Sequence, residues 1–167
     1  MKTDLGDVVV KIYLEQAPVT AANFLRYVDE GRMVGSAFYR VVRLDNQPDN
    51  DIIIEVIQGG PGRQGRERQL PAIEHETTQI TGIKHLDGVI SMARNEPGTA
   101  TAEFFFCIGD QPSLDFGGMR NPDGQGFAAF GRIIKGMDVV KKIQQLEPGG
   151  DQYLEEPVLI RQITRMK

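Results

Sequence analysis

The sequence predicts a mostly β domain, and three observations carry that reading. Short apolar runs with a period of two recur along the chain, separated by clusters of glycine, proline, asparagine and aspartate. Helical periodicity occurs in two places, one early and one late. Strands and helices never alternate as βαβ units and no segment repeats, so pattern alone leaves a barrel or a sandwich.

Each element has its own signal. Val8, Val10, Ile12 and Leu14 alternate with Val9, Lys11 and Tyr13, the mark of a strand. Pro18 opens a helix, where its missing N–H costs little; Phe24, Leu25 and Val28 give it a buried stripe, and Gly31 ends it. Strands are expected at 38–44 and 52–57, with a turn at 45–50 between them. Glycine and arginine dominate from Gly59 to Leu70, which reads as a mobile loop. Strands return at 89–93, 104–108 and 128–134. A helix over 137–146 buries Val139, Val140, Ile143 and Leu146, with Gly149 beyond it, and 158–164 is the closing strand.

At 167 residues the chain is one domain with room for a real core. A composition of 40% hydrophobic and 25% charged residues fits an ordinary soluble protein, and the net charge of −4 argues against a nucleic-acid partner. Arg63, Arg66 and Arg68 read as a solvated loop. The single cysteine, Cys107, lies between Phe106 and Ile108 and reads as an inert core thiol. No apolar run reaches the length of a membrane span.

Several partial motifs lead nowhere. His75-Glu76-Thr77-Thr78-Gln79 lacks the second histidine of a zinc-protease helix, and His75 and His85 have no cluster at metal-ligand spacing, so surface or hydrogen-bonded roles are expected. Gly59-Gly60-Pro61-Gly62 lacks the lysine and hydroxyl of a phosphate loop. The acidic run from Asp45 to Asp51 lacks the glycine and glutamate of a calcium loop, and no serine sits in a nucleophile elbow.

One set of segments remains. Phe38-Tyr39-Arg40-Val41-Val42 places a cation in an apolar strand, read here as sharing a face with Phe38, which is costly without a partner or a task. Ile57-Gln58-Gly59-Gly60 sets an amide beside Arg40 if the two strands pair as a hairpin. Gly88-Val89-Ile90-Ser91-Met92-Ala93-Arg94 is followed by Glu103-Phe104-Phe105-Phe106-Cys107-Ile108, in which strand alternation makes Phe105 the odd one out while Phe104 and Phe106 face the core. From about Thr3 to Thr164 the set resembles the cyclophilin-type peptidyl-prolyl cis-trans isomerases, bacterial subgroup.

The resemblance implies a closed antiparallel eight-stranded β-barrel capped by two α-helices, spanning residues 1–167, with the active face outside the barrel. It implies a non-covalent isomerase of X–Pro bonds in unfolded or flexible polypeptides that needs neither cofactor nor metal. Arg40, Gln58 and Phe105 take the catalytic positions: donor to the prolyl amide, orienter of that donor, and floor of the proline pocket. Val56, Ala93, Arg94, Glu103, Leu114 and Phe127 take substrate-binding positions, with Ala93 and Arg94 as the edge that pairs with substrate backbone.

This chain departs from the family pattern at several places. Glu55 stands where the family has phenylalanine, Val56 where it has methionine, Glu103 where it has glutamine and Ser113 where it has tryptophan. Phe127 best matches a family histidine. The hairpin between Val42 and Gln58 is long, and the loop from Phe116 to Gly126 is enlarged. Glu103 is expected within reach of Arg40 or Arg94, or at the solvent.

These departures keep an alternative open: a non-catalytic holding chaperone that captures proline-containing segments on the same fold. A barrel carrying a small apolar ligand is weak, since Val, Ile and Phe fill the strand interiors. Cyclosporin, the family's cyclic-peptide inhibitor, is expected to bind with weakened affinity. The expected partners are proline-containing polypeptides, with no nucleic acid and no membrane, and the chain is expected to be a monomer. With no signal-peptide pattern it reads as cytoplasmic; a periplasmic origin follows instead if Met1 replaces a leader.

Overall fold

The computed structural model describes residues 1–166. Its strands are β1 (Lys2–Thr3), β2 (Gly6–Asp7), β3 (Val9–Ile12), β4 (Ala37–Val42), β5 (Val56–Gly60), β6 (Val89–Met92), β7 (Phe104–Cys107), β8 (Ala128–Lys135) and β9 (Tyr153–Gln162). Its α-helices are α1 (Pro18–Asp29), α2 (Thr78–Thr81) and α3 (Met137–Gln144), and short 3-10 turns span Arg63–Arg68 and Pro112–Leu114. The strands form one antiparallel sheet in the order β2-β1-β9-β4-β5-β7-β6-β8-β3. β2 runs through Val8 into β3, and Met1 and Val8 exchange hydrogen bonds, so the two ends of the sheet meet in a nearly closed barrel. The expected barrel is present, with nine strands and three α-helices among the described residues rather than eight and two. The N-terminal segment adds two short strands to the seven read from the pattern, and α2 is a single extra turn.

The interior is packed with rings. Phe24 of α1 meets Phe104 edge-on at 5.5 Å and Phe130 at 5.1 Å, while Phe38 lies 5.9 Å from both Phe104 and Phe106. Val139, Val140 and Ile143 of α3 are buried in the same core. Full burial of each such side chain is worth roughly 1.5–3 kcal/mol, and the filled interior leaves function to the outside.

Three expectations are corrected in detail. The buried face of α1 is Thr20, Ala21, Asn23, Phe24 and Tyr27, whereas Leu25 and Val28 are half-buried. The hydroxyls on that face are satisfied: Tyr27 accepts the Leu70 N–H, and Thr20 donates to Glu76. Glu76 also accepts the Val19 and Thr20 N–H groups, so a remote carboxylate caps α1, whose N-cap residue Ala17 has no side chain able to do so. Second, β5 begins at Val56 rather than Ile52, because the buried Gln47 amide accepts the Ile54 N–H and donates to the Ile54 and Arg43 carbonyls in place of a strand ladder. Third, Arg63–Arg68 is a 3-10 turn within the expected loop.

Candidate active site

Four neighbouring strands place one row of residues across the sheet. Arg40 of β4 lies opposite Gln58 of β5, Gln58 opposite Phe105 of β7, and Phe105 opposite Ser91 of β6. The register of β4 slips between Phe38 and Arg40, a bulge at Tyr39 that re-aims the strand. Phe38 therefore enters the barrel while Arg40 bonds to groups outside it, so the two do not share a face as the sequence suggested. Phe105 likewise parts from its neighbours: Phe104 and Phe106 pack on Phe38, and Phe105 packs edge-on against Phe127 at 5.3 Å.

Arg40 is held by neutral amides. Its Nη1 donates to Gln58 Oε1 at 2.9 Å, and its Nε and Nη2 donate to Gln152 Oε1 at 3.0 and 2.5 Å. Gln152 is anchored in turn through its Nε2 to the Asn46 carbonyl, and Tyr153 sets its ring 5.9 Å from the guanidinium. These bonds leave one N–H on each terminal nitrogen unbonded, and no carboxylate pairs with Arg40 among the described residues. The result is a fixed, uncompensated cation with donors to spare.

A second chain of bonds supports Gln58. Its Nε2 donates to the Tyr39 hydroxyl at 3.0 Å, and that hydroxyl donates to Glu103 Oε2 at 2.6 Å. Glu103 Oε1 accepts the Gly62 N–H. Glu103 therefore reaches neither Arg40 nor Arg94, correcting the expected pairing. Burial raises the Glu103 pKa against these two hydrogen bonds, and burial with the adjacent Glu103 charge pushes the Tyr39 phenol far above its usual range. Gly60 lies against the Glu103 carboxylate with φ +145°, a conformation and a spacing that fit glycine alone.

The apolar part is a floor with two walls. Phe105 and Leu114 are buried, and the Phe127 N–H bonds the Leu114 carbonyl, which brings the three together. Val56 is buried two residues before Gln58 on the same strand face. Beneath Phe105, His85 lies nearly parallel at 6.1 Å and is itself fully enclosed. Its Nδ1 meets Asp115 Oδ1 at 2.8 Å and its Nε2 meets Ser91 Oγ at 2.9 Å. Burial lowers the His85 pKa, so the ring is neutral, donating from Nδ1 to the carboxylate and accepting the Ser91 hydroxyl at Nε2.

The far rim is Ala93 and Arg94. Ala93 donates its N–H to Glu103, and the Arg94 backbone N–H and C=O have no hydrogen-bond partner among the described residues. The Arg94 side chain is 1% exposed and occupied. It forks onto Asp123 at 2.8 and 2.9 Å, bonds the Gly126 and Asn95 carbonyls, and lies 5.1 Å above the Phe127 ring. The enlarged loop is thus pinned beside the site rather than left open. Glu55 faces away, with its carboxylate accepting from Gln144 of α3. Gln152, Tyr39 and His85 were not legible as site residues, because each is tied in through a partner distant in sequence.

The family model for cyclophilin type peptidyl-prolyl cis-trans isomerases matches residues 1–165. This chain belongs to that family. The cyclophilin-family chain is 34% identical to peptidyl-prolyl cis-trans isomerase B of Escherichia coli K12, an alignment covering 97% of this chain and 95% of the relative. It is 33% identical to the isomerase cyp18 of Streptomyces antibioticus over 91% of this chain and 86% of that one. Among solved structures, a Cryptosporidium parvum cyclophilin-type isomerase crystallised in the presence of the dipeptide Ala-Pro superposes with a TM-score of 0.76 at 19% identity, covering 97% of this chain and 94% of that one.

Proposed function

We propose that this peptidyl-prolyl cis-trans isomerase works at the row formed by Arg40, Gln58 and Phe105. The observation that carries the reading is Arg40: a cation fixed by two glutamines, free of any carboxylate among the described residues, one strand from Gln58 and two from Phe105. Rotation about an X–Pro bond crosses a barrier of roughly 18–20 kcal/mol because amide resonance is lost. As resonance breaks, the nitrogen becomes pyramidal and gains a lone pair that a guanidinium N–H can bond, an interaction made in the transition state and not with the planar amide.

Each remaining residue has a part. Phe105, Leu114, Phe127 and Val56 grip the proline ring away from water. Arg94 and Ala93 offer backbone to an added substrate strand, and Gln58, held by Tyr39 and Glu103, keeps Arg40 aimed. The substrates are proline-containing segments of flexible polypeptides, taken by a single chain acting as a monomer. The holding-chaperone alternative rested on Glu55 and Glu103, and both carboxylates are engaged elsewhere, with Gln144 and with Tyr39. An NMR exchange measurement on an Ala-Pro peptide decides between the two: accelerated cis–trans exchange is expected, whereas binding without acceleration supports the holding role.

Cyclosporin sharpens the picture of the wall. Ser113 and Phe127 supply neither an indole N–H nor an imidazole, so affinity is expected to fall below that of eukaryotic relatives by one or more tenfold steps of about 1.4 kcal/mol. Stoichiometric inhibition at nanomolar drug in an activity titration would show that the loop supplies replacement contacts.

A further inference from the structure

The enlarged loop carries a second cation to the site. The Arg120 backbone N–H bonds the Ser113 carbonyl at 3.2 Å, and its guanidinium reaches the Ile52 carbonyl. The side chain therefore bridges from the Leu114 wall to the hairpin that leads into β5. One N–H holds Ile52, and the rest of the guanidinium fork has no acceptor among the described residues. Burial, then the positive charge of nearby Arg40, lowers the Arg120 pKa.

The other arginines of these loops are treated differently. Arg43 pairs with Asp45 and Glu147, and Arg94 pairs with Asp123. Arg40 and Arg120 have no acidic partner among the described residues, in a chain whose net charge is −4. Neighbouring half-buried cations repel, and a protein with acids to spare could have compensated them. Latching the loop to Ile52 needs a donor, not a charge.

We propose that Arg120 is a specificity-determining residue that binds a substrate carboxylate, so that the enzyme prefers X–Pro segments with Asp or Glu near the proline. The register gives the flank. Along the strands, Ala93, Glu103 and Gly60 lie to one side of the row through Gln58 and Phe105, and the Ile52 hairpin with Arg120 lies to the other. The acidic residue therefore sits on the side of the proline away from the segment that pairs with Ala93 and Arg94. This inference rests on the isomerase reading of Arg40, Gln58 and Phe105.

The test is NMR exchange on short peptides that share one proline and differ by Glu or Gln at a single position on either flank. At low ionic strength the Glu peptide is expected to exceed its Gln twin in kcat/KM by roughly fivefold on the flank away from the segment that pairs with Ala93 and Arg94. A preference on the other flank alone overturns the proposal. In Arg120→Gln that ratio falls to about unity, and in Arg120→Lys part of it remains. Because the readout is a ratio within one protein, a general loss of activity does not imitate it. Should Arg120→Gln not fold, Arg120→Met takes its place. The wild-type ratio measured against salt checks that the preference is electrostatic, since the screening length shrinks from about 30 Å at 0.01 M to about 3 Å at 1 M. A ratio of one on both flanks, or a preference that survives Arg120→Gln or high salt, overturns the proposal. Acceleration of no peptide, Gln twins included, removes the isomerase site itself and is a distinguishable failure.

Discussion

Arg40 and Arg94 stand on opposite sides of Phe105, and the fold treats them in opposite ways. Arg94 is enclosed, with a carboxylate fork on Asp123, two backbone carbonyls and the face of Phe127. Its charge is spent within the protein, and the Asp123 carboxyl is held below its usual pKa by the Arg94 hydrogen bond. Arg40 receives amide oxygens and no carboxylate among the described residues, and it keeps N–H groups unbonded. A compensated guanidinium fixes a loop; an uncompensated one whose geometry is set by dipoles is ready to meet charge that develops elsewhere.

The strongest way to break the comparison is to remove Arg40. In Arg40→Ala, kcat/KM on an Ala-Pro peptide is expected to fall about 100-fold, around 3 kcal/mol of transition-state stabilisation, with little change in Tm. Near-normal kcat/KM in the folded variant would falsify the assigned mechanism. The second variant should behave in the opposite way. Arg94→Ala strips the Gly126 and Asn95 carbonyls of their side-chain donor and leaves Asp123 with the Gln125 N–H alone, so Tm is expected to fall by roughly 5 °C. KM should rise as the loop beside Phe127 loosens, while kcat changes less. A large loss of kcat at unchanged Tm would mean that Arg94 acts on the substrate directly.

Much of this site was legible in the sequence, for local reasons. The adjacency of Arg40 and Gln58 follows from pairing two strands as a hairpin, and the separation of Phe105 from Phe104 and Phe106 follows from the strand period. Legibility stops where position depends on distant partners. The bulge at Tyr39 inverts the relation of Phe38 to Arg40, and an alternating pattern does not announce a bulge. Gln152 reaches Arg40 from just before β9, and Arg120 reaches the Ile52 carbonyl from the enlarged loop. Glu55 faces α3 because Gln144 offers its carboxylate a donor there, which residue spacing does not reveal.

The smallest expected effect belongs to Glu103, which refines how Arg40 is supported. Its carboxylate touches neither arginine; it holds the Tyr39 hydroxyl, which receives Gln58, which holds Arg40. In Glu103→Gln one of the two acceptor oxygens becomes a donor, so either Tyr39 or the Gly62 N–H loses its partner. A fall in kcat/KM of about two- to threefold is expected, because Gln152 still fixes Arg40 from the other side. A several-fold rise instead would mean that Glu103 does compete for Arg40 in solution. Stability supplies an independent readout. The folded pKa of Glu103 lies above its unfolded value because burial disfavours the charge, so between the two values the folded protein binds more protons than the unfolded chain. The resulting stabilisation is complete below the ordinary glutamate pKa and is lost as pH rises through the raised one. Tm of the wild type, measured against that of Glu103→Gln, should therefore decline across that interval and level off above it. A difference that is flat with pH would show that Glu103 is solvated in the folded protein, and the relay from Glu103 through Tyr39 to Gln58 would lose its support.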